Sequence, residues 1–310
     1  MRVLVTGATG FVGRALVPHL VRSGHLVRAA VRAFQPIEGV EVLPHGDLAK
    51  TIDWRPFCAN VDAIVHLAGQ AHATRALPDS HYEQINHTTT LDLARSAKEA
   101  GVRRFVFVSS IKAQTGSTSR TTLTEADEAR PVDAYGRSKL AAEKSLRELG
   151  IPYTIFRPVL IYGGELKGNL SSLRKISALP VPLPFGAFRN RRSLLALSSF
   201  TRALELALSA STMLDQTFVI ADREPIALRD LISAFRTARN RRPLLVPIPV
   251  PLMRFGLRLA GGPDLWERLG GELVVDPAKL IAAGWRPGDS TGTMLEQVLR
   301  ADQREQTKIV

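Results

Sequence analysis

The chain has 310 residues, 45% of them hydrophobic, and its 41 Lys and Arg against 29 Asp and Glu leave a formal net charge of +12. It is long enough to bury one large α/β domain, or a nucleotide domain with a smaller companion. One cysteine, Cys58, excludes an intrachain disulfide and a thiolate metal cluster and reads as a small buried apolar residue; no 18-residue apolar run is free of charge or proline, so no membrane span is expected.

Residues 1–16 spell an apolar strand, a glycine-rich turn and the start of a helix expected over 10–22. That order is a dinucleotide cradle. Gly7 permits the tight turn, Gly10 lets backbone approach a pyrophosphate, and Gly13 lets the helix pack on the strand, while the helix start at Phe11 and Val12 supplies amides and a positive dipole end. The opening apolar run is committed to a strand, so it does not read as a signal peptide and a cytoplasmic location is expected.

Further strands are expected at 27–31, 61–66, 104–109 and 153–156, with helices at 81–99 and 134–149 between them. Such alternation gives an α/β fold: a Rossmann-type doubly wound parallel sheet with ligands at the carboxyl ends of its strands. After Pro158 the rhythm changes to loops and a proline-rich stretch at 180–186. We read 1–165 as a nucleotide-binding domain, with 190–221 returning to it through a helix near 199–210 and a strand near 217–221. Residues 166–189 and 222–310 form a smaller C-terminal substrate-binding lobe. The apolar stretch 247–259, carrying Arg254 and Arg258, reads as a core helix of that lobe, with a membrane-surface helix as the other reading.

A charge of +12 admits nucleic acid, an anionic membrane surface or a phosphorylated small substrate. Basic residues are scattered through amphipathic segments without a nucleic-acid motif or basic tail, so no nucleic-acid partner is expected. The densest cluster, Arg189, Arg191 and Arg192, reads as a diphosphate clamp; a second, Arg239, Arg241 and Arg242, reads as a solvated helix end.

Tyr135 and Lys139 are four apart in the helix expected at 134–149, so a phenol and an ammonium share one face. A free tyrosine titrates near 10, and the neighbouring cation is expected to bring it toward a useful acid–base range.

These motifs resemble one family. Thr6-Gly7-Ala8-Thr9-Gly10-Phe11-Val12-Gly13, Gly46-Asp47-Leu48, His66-Leu67-Ala68-Gly69, Asn86, Phe105-Val106-Phe107-Val108-Ser109-Ser110, Tyr135 to Lys139, and Arg157-Pro158 leading to Tyr162-Gly163 occur in the order of the extended short-chain dehydrogenase/reductases. Within them the chain resembles the nucleotide-sugar epimerase/dehydratase/reductase group. Ser109-Ser110-Ile111-Lys112, Leu166-Lys167-Gly168-Asn169 and Pro182-Leu183-Pro184-Phe185-Gly186 before Asn190-Arg191-Arg192-Ser193 resemble a bacterial subgroup acting on UDP-N-acetylhexosamine-type sugars in surface-polysaccharide synthesis.

The resemblance implies Ser110, Tyr135 and Lys139 as the catalytic set, with Ser109 as the second choice of hydroxyl. It implies a nicotinamide cofactor held by Gly7, Gly10, Phe11, Val12, Gly13, Arg32, Asp47, Leu48, Leu67, Ala68 and Gly69 together with Tyr135 and Lys139. Ser110, Lys112, Asn169 and Arg192 would meet the UDP-sugar, and no metal is implied. Asp47 equally suits a helix N-cap, His66 reads as a satisfied strand-end histidine, and Asn86 as a buried group organising the neighbouring turn. Ser193 and Ser199 stand where the family carries aspartates, which puts the docking of the local helix in question. The second strand ends in Arg32 where NAD-specific members carry a carboxylate, so NADP(H) is expected over NAD(H). Reduction of a UDP-4-keto-6-deoxy-N-acetylhexosamine is then the first expectation and 4-epimerisation of a UDP-hexose or UDP-N-acetylhexosamine the alternative. A non-catalytic NADP-sensing regulator is a distant third, and a homodimer stays open.

Overall fold

The computed structural model describes residues 1–71, 77–163, 168–249, 251–253, 255 and 271–308, with the side chains of 168, 169 and 301–308 outside the description. In chain order it forms β1 (Arg2–Thr6), α1 (Gly13–Arg22), β2 (Leu26–Val31), β3 (Val40–Pro44), α2 (Arg55–Cys58), β4 (Ala63–His66), α3 (Asp79–Tyr82), a π-helical turn (Glu83–Thr88), α4 (Thr89–Glu99), β5 (Arg104–Val108), α5 (Ala134–Leu149) and β6 (Tyr153–Pro158). There follow β7 (Leu160–Tyr162), α6 (Gly168–Ser177), β8 (Arg191–Arg192), β9 (Leu194–Ala196), α7 (Leu197–Ala207), β10 (Gln216–Ile220), β11 (Ile226–Ala227), α8 (Leu228–Ala238), α9 (Ala278–Ala282) and α10 (Thr291–Lys308).

Seven strands make one parallel sheet in the order β10-β6-β5-β4-β1-β2-β3. Its strands are nearly continuous in Val, Ile, Leu and Phe because both faces are covered. Alternate side chains of β1 go to opposite cores: Val3 and Val5 join Leu16, Leu20, Phe200 and Phe218, whereas Leu4 joins Ile64, Leu93, Phe105 and Phe107. The chain leaves β1 toward β2 on one side and β4 on the other, so a crevice opens beyond the carboxyl ends of those strands.

The helix over 134–149 has the expected bounds for local reasons. The Asp133 carboxylate accepts the Gly136 amide at 2.7 Å, and Gly150 ends the helix with φ +68°. Two other expectations need correction. The helix expected from 10 begins at Gly13, because Gly10 is held in the preceding turn by its amide donating to the Gly7 carbonyl. The single helix expected over 81–99 is interrupted by the π turn at Glu83–Thr88, whose Asn86 side chain is wholly buried and bonds outside its own helix.

The strand at 216–220 pairs with β6 and so extends the nucleotide sheet. Ser199 is buried under the Arg202 guanidinium, and its carbonyl accepts the Trp285 indole N–H at 3.3 Å, which docks α7 without an aspartate. Ser193 is likewise buried, its hydroxyl accepting the Val275 amide at 3.1 Å. A separate core, with Leu170, Phe185, Phe188, Ile232, Phe235 and Leu295, joins α6, α8 and α10 to the proline-rich loop. Of the stretch 247–259, residues 250, 254 and 256–259 lie outside the description.

Candidate active site

The glycines of the first turn are fixed by contact. Gly7 has φ +67°, and a Cβ on it would lie 2.8 Å from the Ala68 amide nitrogen, so the turn after β1 presses on the end of β4. A Cβ on Gly13 would lie 2.3 Å from the Gly7 carbonyl oxygen and one on Gly10 3.1 Å from the same atom. Such a cradle has room for backbone only. No side chain caps the N-terminus of α1 and its first turn holds no acidic residue, so its amides and dipole suit an anion. These residues fit the diphosphate of a dinucleotide.

Arg32 lies exposed just past β2, and its carbonyl accepts the Gly46 amide at 3.1 Å, which ties the ends of β2 and β3 together. Asp47 is exposed beside it and its carboxylate accepts the Ala49 amide at 3.0 Å within a turn; no helix starts there, so the helix N-cap expected as one alternative is not formed. Leu48 is buried, its carbonyl accepting the Thr89 hydroxyl. On the other side of β1, Leu67 is half-buried, Ala68 buried and Gly69 exposed. A Cβ on Gly69 would come 2.8 Å from Asn86 Oδ1 and 3.2 Å from Lys139 Nζ, so this turn is packed against the catalytic candidates. Asn86 holds it there. Its amide donates to the Gln70 carbonyl and to Ser138 Oγ, each at 3.0 Å, and its Oδ1 accepts the Gln70 amide at 2.8 Å.

Ser110 ends the strand-to-helix turn after β5, where its hydroxyl accepts the Lys112 amide at 3.2 Å and lies beside the Tyr135 phenol, whose ionisation it favours. Burial pushes that phenol up to about 12 despite Ser110. This corrects the expectation that Lys139 draws it toward neutrality: the lysine turns to the sheet, donating to the Val108 carbonyl at 3.0 Å and sitting 4.7 Å over the Phe107 ring. Burial brings the Lys139 ammonium itself down to about 8, with Glu143 pulling the other way. Tyr135 is thus a protonated phenol, beside a hydroxyl and one helical turn from a buried cation.

Ser109, the second choice, points away from this cluster. Its hydroxyl donates to Glu143 at 2.6 Å in a fully buried network. The Arg157 guanidinium donates to both oxygens of the same carboxylate, at 3.0 and 2.6 Å, and to the Gln114 side-chain oxygen at 3.0 Å. Glu143, Arg157 and Gln114 were not singled out by sequence reasoning. Glu143 had a visible signal, standing four residues after Lys139 on the same helical face, and Arg157 stood in the quoted Arg-Pro pair.

His66 carries no chemistry here. It is buried between the hydroxyls of Thr6, at 2.7 Å, and Thr90, at 2.9 Å, and burial brings its ring down to about 3. Cys58 is buried as expected, its thiol pushed up to about 12 by burial.

On the substrate side the expectations divide. Lys112 is paired with the capping Asp133 at 2.5 Å, and a Cβ on Gly136 would lie 2.2 Å from the Lys112 carbonyl oxygen, so this lysine seats the first turn of α5. Arg192 is half-buried on β8, its Nε donating to the Gly271 carbonyl at 3.0 Å, and burial lowers its guanidinium. Arg191 is exposed and paired with Glu272 at 3.5 Å. Leu166 and Lys167 lie outside the described residues, as does the side chain of Asn169.

A family model described as the NAD dependent epimerase/dehydratase family matches residues 3–220. The chain is 30% identical to a UDP-glucose 4-epimerase of Vibrio cholerae over 96% of its own length and 94% of that protein. Its fold superposes on a UDP-N-acetylglucosamine 4-epimerase from Bacillus cereus with a TM-score of 0.76, at 19% identity, covering 98% of this chain and 99% of that one. A short-chain dehydrogenase/reductase superfamily protein from Agrobacterium tumefaciens with bound NAD superposes with a TM-score of 0.78, at 20% identity, over 100% of this chain and 99% of that one. At those identities the two structures bear on the fold alone.

Proposed function

Because the chain belongs to the NAD dependent epimerase/dehydratase family, we propose that it inverts carbon 4 of a UDP-activated hexose or N-acetylhexosamine. The observation that carries this reading is the placing of Ser110 beside the Tyr135 phenol and the buried Lys139, at the carboxyl edge of the sheet next to the glycine cradle. Gly7, Gly10, Gly13 and the start of α1 would hold the diphosphate of the dinucleotide, with the 67–69 turn and Lys139 as the residues that would meet the rest of it. When bound, the nicotinamide supplies reversible hydride acceptance at the sugar carbon, so oxidation followed by re-reduction leaves no net redox change. Tyr135 holds and moves the proton at the sugar oxygen, and Ser110 bonds that oxygen and fixes its orientation. Lys139 supplies the positive charge that favours proton removal from the substrate. Arg192 meets the diphosphate of the sugar nucleotide with Asn169, within a lobe built from 166–189 and 222–310.

The near full-length likeness to a UDP-glucose 4-epimerase supports epimerisation over reduction. One observation favours the second reading, reduction of a UDP-4-keto-6-deoxy-N-acetylhexosamine: Arg32 stands exposed past β2 where a carboxylate would suit NAD, and an NADPH-consuming reductase must exchange its cofactor. Incubation with UDP-glucose and with UDP-N-acetylglucosamine in the presence of catalytic amounts of cofactor, followed by product separation, decides. Galacto epimers formed with no net change in reduced cofactor uphold the first reading. Their absence, with one-for-one NADPH oxidation on a 4-keto sugar, replaces it with the second.

A further inference from the structure

Six large apolar side chains stand open on two neighbouring segments: Leu179 and Val181 on one, Leu244, Val246, Leu252 and Phe255 on the other, each between 44 and 67% exposed. They are half of the twelve large apolar residues exposed among the described residues. The segments are stitched together from within. The buried Arg236 guanidinium donates to the carbonyls of Leu179 at 3.0 Å, Val181 at 2.5 Å and Leu244 at 3.4 Å. The Leu183 amide donates to Leu244 and the Val246 amide to Leu183, while Arg241 donates to the Ala178 carbonyl. Leu183 turns into the lobe core and Leu245 packs against it, so their neighbours Leu244 and Val246 are displayed outward. Leu252 and Phe255, three residues apart on helical backbone, are both exposed while Met253 between them packs inward.

Along these segments the charged residues have one sign. No Asp or Glu occurs in 168–204 or 231–263, whereas Lys175, Arg189, Arg241 and Arg242 are exposed there. Pro180, Pro182, Pro243, Pro247, Pro249 and Pro251 are exposed on the same segments and carry no amide hydrogen. An apolar, basic face this dense is unusual on a protein that meets only water and small molecules.

We propose that this face docks on an anionic lipid bilayer. Entry into the boundary between headgroups and acyl chains demands apolar side chains, nearby cations for lipid phosphates, and a backbone with few unmet polar groups. The Arg236 contacts and the prolines meet the third demand. They also leave little backbone free for hydrogen-bonded recognition of a protein partner. No helix among the described residues is long and apolar enough to cross a membrane, so the contact is peripheral.

The test is co-sedimentation of the full chain with vesicles of phosphatidylcholine alone and of phosphatidylcholine mixed with phosphatidylglycerol, at low and high salt. Partition into the anionic vesicles is expected, weakened by salt and reduced about tenfold by Leu252→Glu with Phe255→Glu and by Arg242→Glu. Thermal midpoint and turnover of soluble UDP-sugar should stay unchanged in these variants, which separates this inference from the catalytic reading. Failure of the native protein to bind anionic vesicles overturns the proposal, as does equal binding by the variants. Light scattering that shows a dimer dissociated by the double variant would assign the face to a second copy, and capture of an acidic protein without vesicle binding would assign it to that partner; either result also overturns it.

Discussion

The Ser109 hydroxyl donates to the Glu143 carboxylate at 2.6 Å, and this bond assigns different work to two adjacent serines. Ser109 is anchored beneath the site, and Ser110, next in the chain, is left beside Tyr135. Ser110→Ala should lower kcat by roughly 100-fold, the usual effect of removing one hydroxyl that bonds the reacting oxygen, with little change in folding stability. Ser109→Ala should do the reverse, costing roughly 1 to 3 kcal/mol of stability by leaving a buried acceptor short of a donor. Steady-state kinetics and urea unfolding on both variants check the pair; equal effects on kcat would return Ser109 to the active set.

Tyr135→Phe should lower kcat by roughly 100- to 10,000-fold while cofactor binding persists, because it removes the proton carrier and keeps the ring. In the native enzyme kcat/KM should fall as pH rises through about 8, where the buried Lys139 loses its charge. Tyr135 is held near 12, so its own ionisation is not the source of that limb. An alkaline limb unmoved by Lys139→Arg, whose cation stays charged, would detach the profile from Lys139.

Glu143→Gln removes the charge that two Arg157 bonds, one Arg147 bond and one Ser109 bond converge on. It should cost about 3 kcal/mol, since breaking one side of a buried pair leaves the Arg157 guanidinium uncompensated. Glu143 also supports the Lys139 cation, so the alkaline limb of kcat/KM should move to lower pH. A lost stability with an unmoved limb would make Glu143 purely structural.

His66 gives the fold an acid sensitivity of known sign. Its ring sits at about 3 when folded against 6.5 unperturbed, so between those values the unfolded chain binds a proton that the native one refuses. Stability from this group is therefore complete above 6.5 and is lost as pH falls toward 3, by about 1.4 kcal/mol per pH unit. Urea unfolding at decreasing pH should show that slope in the native protein and lose it in His66→Gln. Parallel curves for the two would refute the assignment.

Much of this was legible from residue order, and the exceptions share a cause. Gly7, Gly10 and Gly13 announced the cradle because close backbone approach leaves glycine as the only tolerated residue, and Asp133 with Gly150 bounded α5 because caps act locally. The π turn at Asn86, the rotation of Lys139 toward Val108 and the Glu143–Arg157 pair depend on partners between 14 and 52 residues away in sequence. Spacing within a helix says which face a side chain shares, and it says nothing of what the facing strand offers. The Tyr135 phenol shows this most plainly: its four-residue separation from Lys139 implied activation, but burial of both groups moved the phenol up and the ammonium down.

Arg32 supplies the test of cofactor choice. It is exposed at the end of β2, with its carbonyl held by Gly46, so its guanidinium can be exchanged without disturbing the sheet. A guanidinium there favours a 2′-phosphate, whereas a carboxylate would accept hydrogen bonds from the ribose hydroxyls and repel that phosphate. NADP(H) is therefore expected to bind more tightly than NAD(H), and Arg32→Asp to reverse the order, with the ratio of the two affinities changing by at least about tenfold. Fluorescence titration of both reduced cofactors against both proteins measures the ratio directly. A native preference for NADH, with no change in the variant, would leave Arg32 as an ordinary surface residue and remove the one observation that favours the reductase.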